Sequence, residues 1–202
     1  MIRAILLDLG RVLVPFDFNV GYNAIEQLSG IPGETVRDRI RATGLVPKFE
    51  TGLIEPEEFV DRLCNEIRIP IEYPRFCEIW SSIFAKETLI SDSFVERLHQ
   101  RYPLVLVSNT NAIHFEMIRR EYPIIRHFDH LVLSYEVKAM KPASTIFAAA
   151  VERAGCRPEE CFFTDDIPEY VEGARNFGID AVQFEGAEQL QTALEARGVR
   201  WE

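Results

Sequence analysis

The chain predicts an α/β fold: a doubly wound parallel sheet with a Rossmann-type core and an α-helical cap inserted after the first strand. Two observations carry this prediction. Short apolar runs recur along the chain with helical patterns between them, and one long stretch, from about Phe16 to Lys86, contains helical patterns only. Strands of a parallel sheet are covered on both faces, so they read as continuous apolar runs rather than alternating ones.

Taken in order, AILL at 4–7 is the first strand. The segments NVGYNAIEQLSG, GETVRDRIRATG, EPEEFVDRLCNEI and EYPRFCEIWSSIFA then read as amphipathic helices, separated at Gly30, Pro32, Gly44, Pro47, Gly52, Pro70 and Pro74. SFVERLHQRY at 93–102 is a helix leading into the strand LVLV at 104–107. NAIHFEMIRREY at 111–122 follows, with Asn111 as a plausible N-cap. LVL at 131–133 is a third strand, and STIFAAAVERAG is a helix stopped by Gly155. CFF at 161–163, the helix EYVEGARNFG, AVQF at 181–184 and the helix AEQLQTALEARG complete the pattern. Alternating strands and helices imply right-handed crossovers in one sheet. The expected division is a core of residues 1–15 plus 88–202 and a cap of residues 16–87. Ligands of such sheets bind outside the carboxyl ends of the strands, so a cap leaving from the end of strand one sits over the site.

With 202 residues the chain is long enough for one good core and an insert. A net charge of -10 argues against a nucleic-acid partner, which needs clustered Lys and Arg. Cys64, Cys77, Cys156 and Cys161 form no C-x-x-C pair and read as core residues of a reduced, cytoplasmic protein. MIRAILLDLG carries its acid too early for a signal peptide, and no apolar run approaches the ~20 residues of a membrane span. The expected assembly is a monomer or a weak homodimer.

Four polar clusters fall where strands end: Asp8, Ser108-Asn109, Lys141-Pro142 and Asp165-Asp166. Each has an ordinary explanation alone. Asp forms turns, Ser and Asn cap helices, a single lysine is usually surface, and acids favour a helix start. Together they bring acids, a lysine and a hydroxyl to the same rim of one sheet. That set suits phosphoryl transfer. An Asp carboxylate can attack phosphorus and form an aspartyl-phosphate. Its approach to an anionic phosphate calls for Mg²⁺, which takes oxygen ligands, here Asp8 and one acid of the pair. The Ser108 hydroxyl and backbone N–H groups can hold phosphoryl oxygens, and Lys141 can balance the remaining charge.

These residues resemble the haloacid dehalogenase-like (HAD) hydrolase superfamily across nearly the whole chain. LLDLGRVLV matches its first motif, VLVSNTN its second, MKP its third, and FFTDDIPEYVEGARNFGI its fourth. More narrowly, the chain is similar to a bacterial subgroup that includes alpha-D-glucose-1-phosphate phosphatase, and to the phosphatase domain of soluble epoxide hydrolases. The resemblance implies Asp8 as nucleophile and Mg²⁺ ligand, and the backbone carbonyl of Gly10 as a second ligand. It implies Asp166 as a direct ligand, with Asp165 behind it or acting through water. Ser108 and Asn109 would bind the phosphoryl group, and Lys141 would hold it against Asp8. Tyr170 stands where relatives often place Asn, and Thr164 intervenes before the acid pair.

Many family phosphatases carry a second Asp at the position of Gly10, and acid–base help of that kind is worth roughly 10²–10⁴-fold. Three readings follow. The substrate has an easy leaving group, such as a sugar 1-phosphate. Alternatively a cap residue or a water substitutes, with Glu50 and Asp17 as candidates. Alternatively the protein binds phosphate compounds and barely turns them over. Arg11 either meets a substrate anion or bridges to a cap acid. Lys48, Phe49 and Glu50 are expected on a loop over Asp8, with Phe49 equally readable as cap core. Trp80 and Phe84 read as core, and His114 could approach the site. The expected function is therefore a Mg²⁺-dependent phosphatase of a small phosphorylated metabolite, with hexose 1-phosphates such as glucose 1-phosphate first. A weak phosphate-ligand binding or regulatory protein and a metal-independent haloacid dehalogenase are the alternatives.

Overall fold

A computed structural model describes residues 1–202. Five parallel strands, β1 (Ala4–Leu7), β2 (Leu104–Ser108), β3 (His130–Leu133), β4 (Cys161–Asp165) and β5 (Asp180–Gln183), form one sheet in the order β3-β2-β1-β4-β5. β1 is central, paired at Leu7 with Leu106 on one side and Thr164 on the other. Every residue of β1, β2 and β4 is buried. Successive side chains point to opposite faces. Ile5, Leu7, Leu104, Leu106 and Phe162 therefore join one core layer, and Ala4, Leu6, Val105, Val107 and Phe163 join the other.

Helices cover both faces. α6 (Asp92–His99), α7 (Ala112–Glu121) and α11 (Ala187–Glu195) bury Phe94, Phe115 and Leu190 on the first face. α9 (Ser144–Ala154) and α10 (Pro168–Phe177) bury Phe147 and Ala174 on the second. All four Cys side chains are free thiols; Cys64 and Cys161 are buried as expected, whereas Cys77 and Cys156 are only half-buried.

Between β1 and α6 the chain forms α1 (Phe18–Ser29), α2 (Gly33–Thr43), α3 (Leu45–Glu50), α4 (Pro56–Ile67) and α5 (Tyr73–Ser81). The Asp17 side chain accepts the Asn19 N–H and caps α1, while Gly30 and Gly44 end α1 and α2 in the left-handed region that glycine tolerates. This insertion has its own core. Phe49 stacks on Phe59 at 4.2 Å between centroids, and Phe59 meets Phe76 edge-on at 6.1 Å. Ile113 of α7 enters the same cluster and ties the insertion to the sheet layer.

Two elements differ from expectation. Lys48-Phe49-Glu50 lies on α3, not on a loop, because Pro47 stands in the first turn, where no intrahelical N–H is required. α8 (Ser134–Val137) is a single turn of four residues, too short to show a periodicity.

Candidate active site

Strand ends and one loop build the site. Asp8 follows β1, and its N–H donates to the Thr164 carbonyl at 3.1 Å, which sets it level with the end of β4. Ser108 closes β2 and Asp165 closes β4, so the three residues share one rim around the central strand. All three are buried: Asp8 is 6% exposed, Ser108 2% and Asp165 0%. Lys141 arrives from the loop between α8 and α9 and is also buried.

Lys141 is the hub. Its Nζ donates to Asp8 Oδ1 at 2.5 Å, to Asp165 Oδ2 at 2.6 Å and to the Val107 carbonyl at 2.9 Å. An ammonium has three donors, and each has a partner. Its charge also lies 5.3 Å from the Tyr170 ring centroid and 5.7 Å from that of Phe163. Burial works against the Lys141 charge, yet Asp8 and Asp165 more than offset it and hold its pKa above the usual value.

The loop that carries Lys141 is held from two sides. The Asn109 amide accepts the Lys141 N–H at 2.8 Å and donates to the Lys141 carbonyl at 3.1 Å. Asn109 thus fixes the lysine's backbone through both polar ends of its side-chain amide. On the other side α10 presses against Pro142. A Cβ on Gly173 would stand 2.7 Å from Pro142 Cβ and 2.9 Å from the Pro142 carbonyl oxygen. Gly173 and Tyr170 are site-shaping residues that sequence reasoning underweighted. Only the G in EYVEGARNFG, at a helix interior where glycine is unfavourable, was a signal for the first.

Asp8, Asp165 and Asp166 each offer a carboxylate oxygen within 4.8 Å of the others. Burial is the largest influence on the Asp8 carboxyl and Asp165 adds to it, the Lys141 charge works against both, and the balance leaves the carboxyl raised to about 7. Burial and then the Asp165 charge raise Asp166, with Arg11 partly offsetting them. Three acids facing one lysine leave an excess of negative charge that a divalent cation would relieve. Oxygen-only donors suit Mg²⁺, so the residues fit that ion. Asp165 already accepts Lys141 and the Ile167 N–H at 2.9 Å, whereas half-buried Asp166 keeps its carboxylate free of side-chain partners.

Other candidates fall elsewhere. Gly10 leaves no room for a side chain, since a Cβ there would stand 2.7 Å from Phe16 Cε1. Phe16 in turn packs edge-on against Phe18 and Phe84. Arg11, at φ 55°, lays its guanidinium 4.9 Å over the Phe16 ring and makes no ion pair, so a bridge to a cap acid is not formed. Asp17 is exposed and occupied in capping α1. His114 is buried, with Nε2 2.9 Å from the Trp80 carbonyl and Nδ1 3.0 Å from Asn111 Nδ2. Burial lowers its pKa to about 4, so it is neutral at pH 7. Glu50 is half-buried, and burial raises its pKa to about 7.

A family model described as haloacid dehalogenase-like hydrolase matches residues 2–178. The chain belongs to the haloacid dehalogenase-like hydrolase family. This hydrolase is 27% identical over 198 residues to D-ribitol-5-phosphate phosphatase of Bacteroides thetaiotaomicron, covering 95% of this chain and 96% of the relative. It is 28% identical over 88 residues to the fructose-1-phosphate phosphatase YqaB of Escherichia coli, covering 44% of this chain and 47% of that one. Among solved structures, a HAD family enzyme of Bacteroides thetaiotaomicron in complex with magnesium and inorganic phosphate superposes with a TM-score of 0.82 at 27% identity, over 92% of this chain and 96% of that one. No helix of this HAD hydrolase is long and apolar enough to cross a membrane.

Proposed function

We propose that this HAD hydrolase is a Mg²⁺-dependent phosphatase of small phosphorylated metabolites, sugar and polyol phosphates among them, working through an aspartyl-phosphate on Asp8. The observation that carries the reading is the Lys141 ammonium bonded at once to Asp8 and Asp165, with Asp166 beside them. A dehalogenase that needs no metal has no use for that acid trio.

Asp8, the Gly10 carbonyl and Asp166 would hold the ion, which offsets negative charge where carboxylate and phosphoryl group meet. Asp8 attacks phosphorus, and the bond to the leaving oxygen breaks. Lys141 favours the ionised form of Asp8 and aims it. The Ser108 hydroxyl, together with the backbone N–H groups of the Asn109 segment, holds phosphoryl oxygens as their charge grows. The helical insertion, residues 16–87, acts as a cap that shields the site and reads the leaving group.

The test is phosphate release from p-nitrophenyl phosphate, glucose 1-phosphate, fructose 1-phosphate, ribitol 5-phosphate and glucose 6-phosphate, with Mg²⁺ and with EDTA. Release that needs Mg²⁺ and disappears in Asp8→Asn is expected. Absence of release from every ester, or release indifferent to Asp8, overturns the reading.

A further inference from the structure

The missing carboxylate at position 10 leaves the proton transfers without a group on the core, and Phe16 fills the space it would need. The cap supplies a different one. A cavity of about 380 Å³ opens between the cap helices and α7, lined by Phe18, Ile25, Ile79, Trp80, His114 and Glu50 among others. Its wall is mostly apolar, and Glu50 is its one carboxyl group. Glu50 binds the core only through its backbone: the Ser134 Oγ donates to its carbonyl at 2.6 Å. The same hydroxyl accepts the Thr110 N–H at 3.0 Å, next to Asn109 and the Lys141 loop. The α3 end is clasped again two residues on, where Lys138 Nζ donates to the Gly52 carbonyl at 2.5 Å. The Glu50 carboxyl itself has neither a salt bridge nor a side-chain hydrogen bond, and burial is the sole cause of its raised pKa.

Through the Ser134 hydroxyl the end of α3 that carries Glu50 is tied to Thr110, two residues after Ser108 at the end of β2. Tyr170, which the Glu50 charge also reaches, lies with its ring 5.3 Å from the Lys141 ammonium that grips Asp8. The titratable and charged groups around Glu50 are Tyr22 of α1, Arg41 of α2 and His114 of α7 in the cavity wall, Tyr170 of α10, and Lys138 just after α8. His114 is neutral at pH 7 and both its nitrogens are bonded. Lys138 is engaged by Gly52. Neither can serve as the acid, and Arg41 is exposed.

We propose that Glu50 is the proton donor and acceptor for phosphoryl transfer at Asp8, and that the leaving group it protonates sits in the cavity between the cap and α7. The proposal rests on the phosphatase reading. In the first step an Asp8 oxygen bonds to phosphorus, the bond from phosphorus to the ester oxygen breaks, and the Glu50 carboxyl proton passes to that oxygen to give a neutral alcohol. In the second step the Glu50 carboxylate takes a proton from water as its oxygen bonds to phosphorus. The bond between phosphorus and Asp8 then breaks, inorganic phosphate leaves, and Glu50 is protonated again. The cavity wall favours a leaving group with an apolar face and few hydroxyls.

The experiment compares wild type with Glu50→Gln across a series of phosphate esters whose leaving groups run from p-nitrophenol through phenol to simple alkyl and sugar alcohols, at pH 5.5 to 9 with Mg²⁺. A general acid matters most for poor leaving groups, so kcat/KM in Glu50→Gln should fall by ~10²–10⁴-fold for alkyl esters and progressively less as the leaving group becomes more acidic. The wild-type alkyl profile should lose rate as pH rises past about 7 and the variant should lack that limb. Inhibition by vanadate at an unchanged constant checks that the variant's phosphate site is folded. An equal loss for all esters, or an unchanged pH profile, overturns the role of Glu50 while leaving the phosphatase reading intact. No Mg²⁺-dependent release from any ester in the wild type overturns both.

Discussion

Phe16 decides what position 10 can be. Its ring lies where a side chain on residue 10 would begin, and the Arg11 guanidinium and the Phe18 and Phe84 rings hold it there. Restoring an acid by Gly10→Asp should therefore destabilise the protein by about 1–3 kcal/mol, the usual penalty of forcing extra volume into a packed place. In a Phe16→Ala background the same change should cost less. A urea-denaturation cycle over the four proteins measures the coupling, expected at ~0.5–3 kcal/mol. Additive effects would mean that the ring swings aside freely. The sequence displays the glycine but not its cause, because the contact depends on how the chain turns between Leu9 and Phe16. The same holds for Asn109. Its place at a strand end is legible in VLVSNTN, whereas its bonds to a backbone 32 residues away are not.

Helix α10 shows two local preferences in opposition. Gly173→Ala should gain about 1 kcal/mol of helix propensity. Its new methyl, however, would sit 2.7 Å from Pro142 Cβ and 2.9 Å from a backbone oxygen that cannot rotate away. Overpacking of that kind costs about 1–3 kcal/mol, so the net expectation is loss of stability, with a displaced Lys141 loop and reduced activity. A thermal melt and a turnover assay check both; a variant more stable than wild type would show that α10 and the loop separate easily. The strands and the four longer cap helices were legible because apolar period and glycine stops are strong signals. α3 was not, since Pro47 reads as a breaker when its place within the helix is unknown. α8 was not, since one turn carries no period.

The whole molecule concentrates unfavourable charge at one rim. Asp8 at that rim and Glu50 in the cap, the latter by burial alone, are each raised to about 7, from 3.8 and 4.5. A raised carboxyl stabilises the fold in its protonated form, fully below its unfolded pKa, and that contribution is lost as pH rises through the folded value. His114, lowered to about 4, works the other way between about 4 and 6.5. Two groups oppose one, so in EDTA the melting temperature should be higher at pH 5.5 than at pH 7.5. Mg²⁺ favours ionised Asp8 and should restore more stability at pH 7.5 than at 5.5, an increment that Asp166→Ala removes. Calorimetry with and without the ion reads this directly, and an ion that stabilises equally at both values, or in the variant, contradicts the assignment of the site.

Asp8 as the atom that takes the phosphoryl group is the point on which everything else depends. Mixing enzyme, Mg²⁺ and an excess of a ³²P-labelled ester that it hydrolyses, quenching in acid within milliseconds, and mapping the label would test it. Label on the peptide containing Asp8, released by hydroxylamine as an acyl phosphate is, and absent from Asp8→Asn, is the expected result. Phosphate released in the first turnover with no labelled protein at any time, or a label that persists in Asp8→Asn, would contradict it.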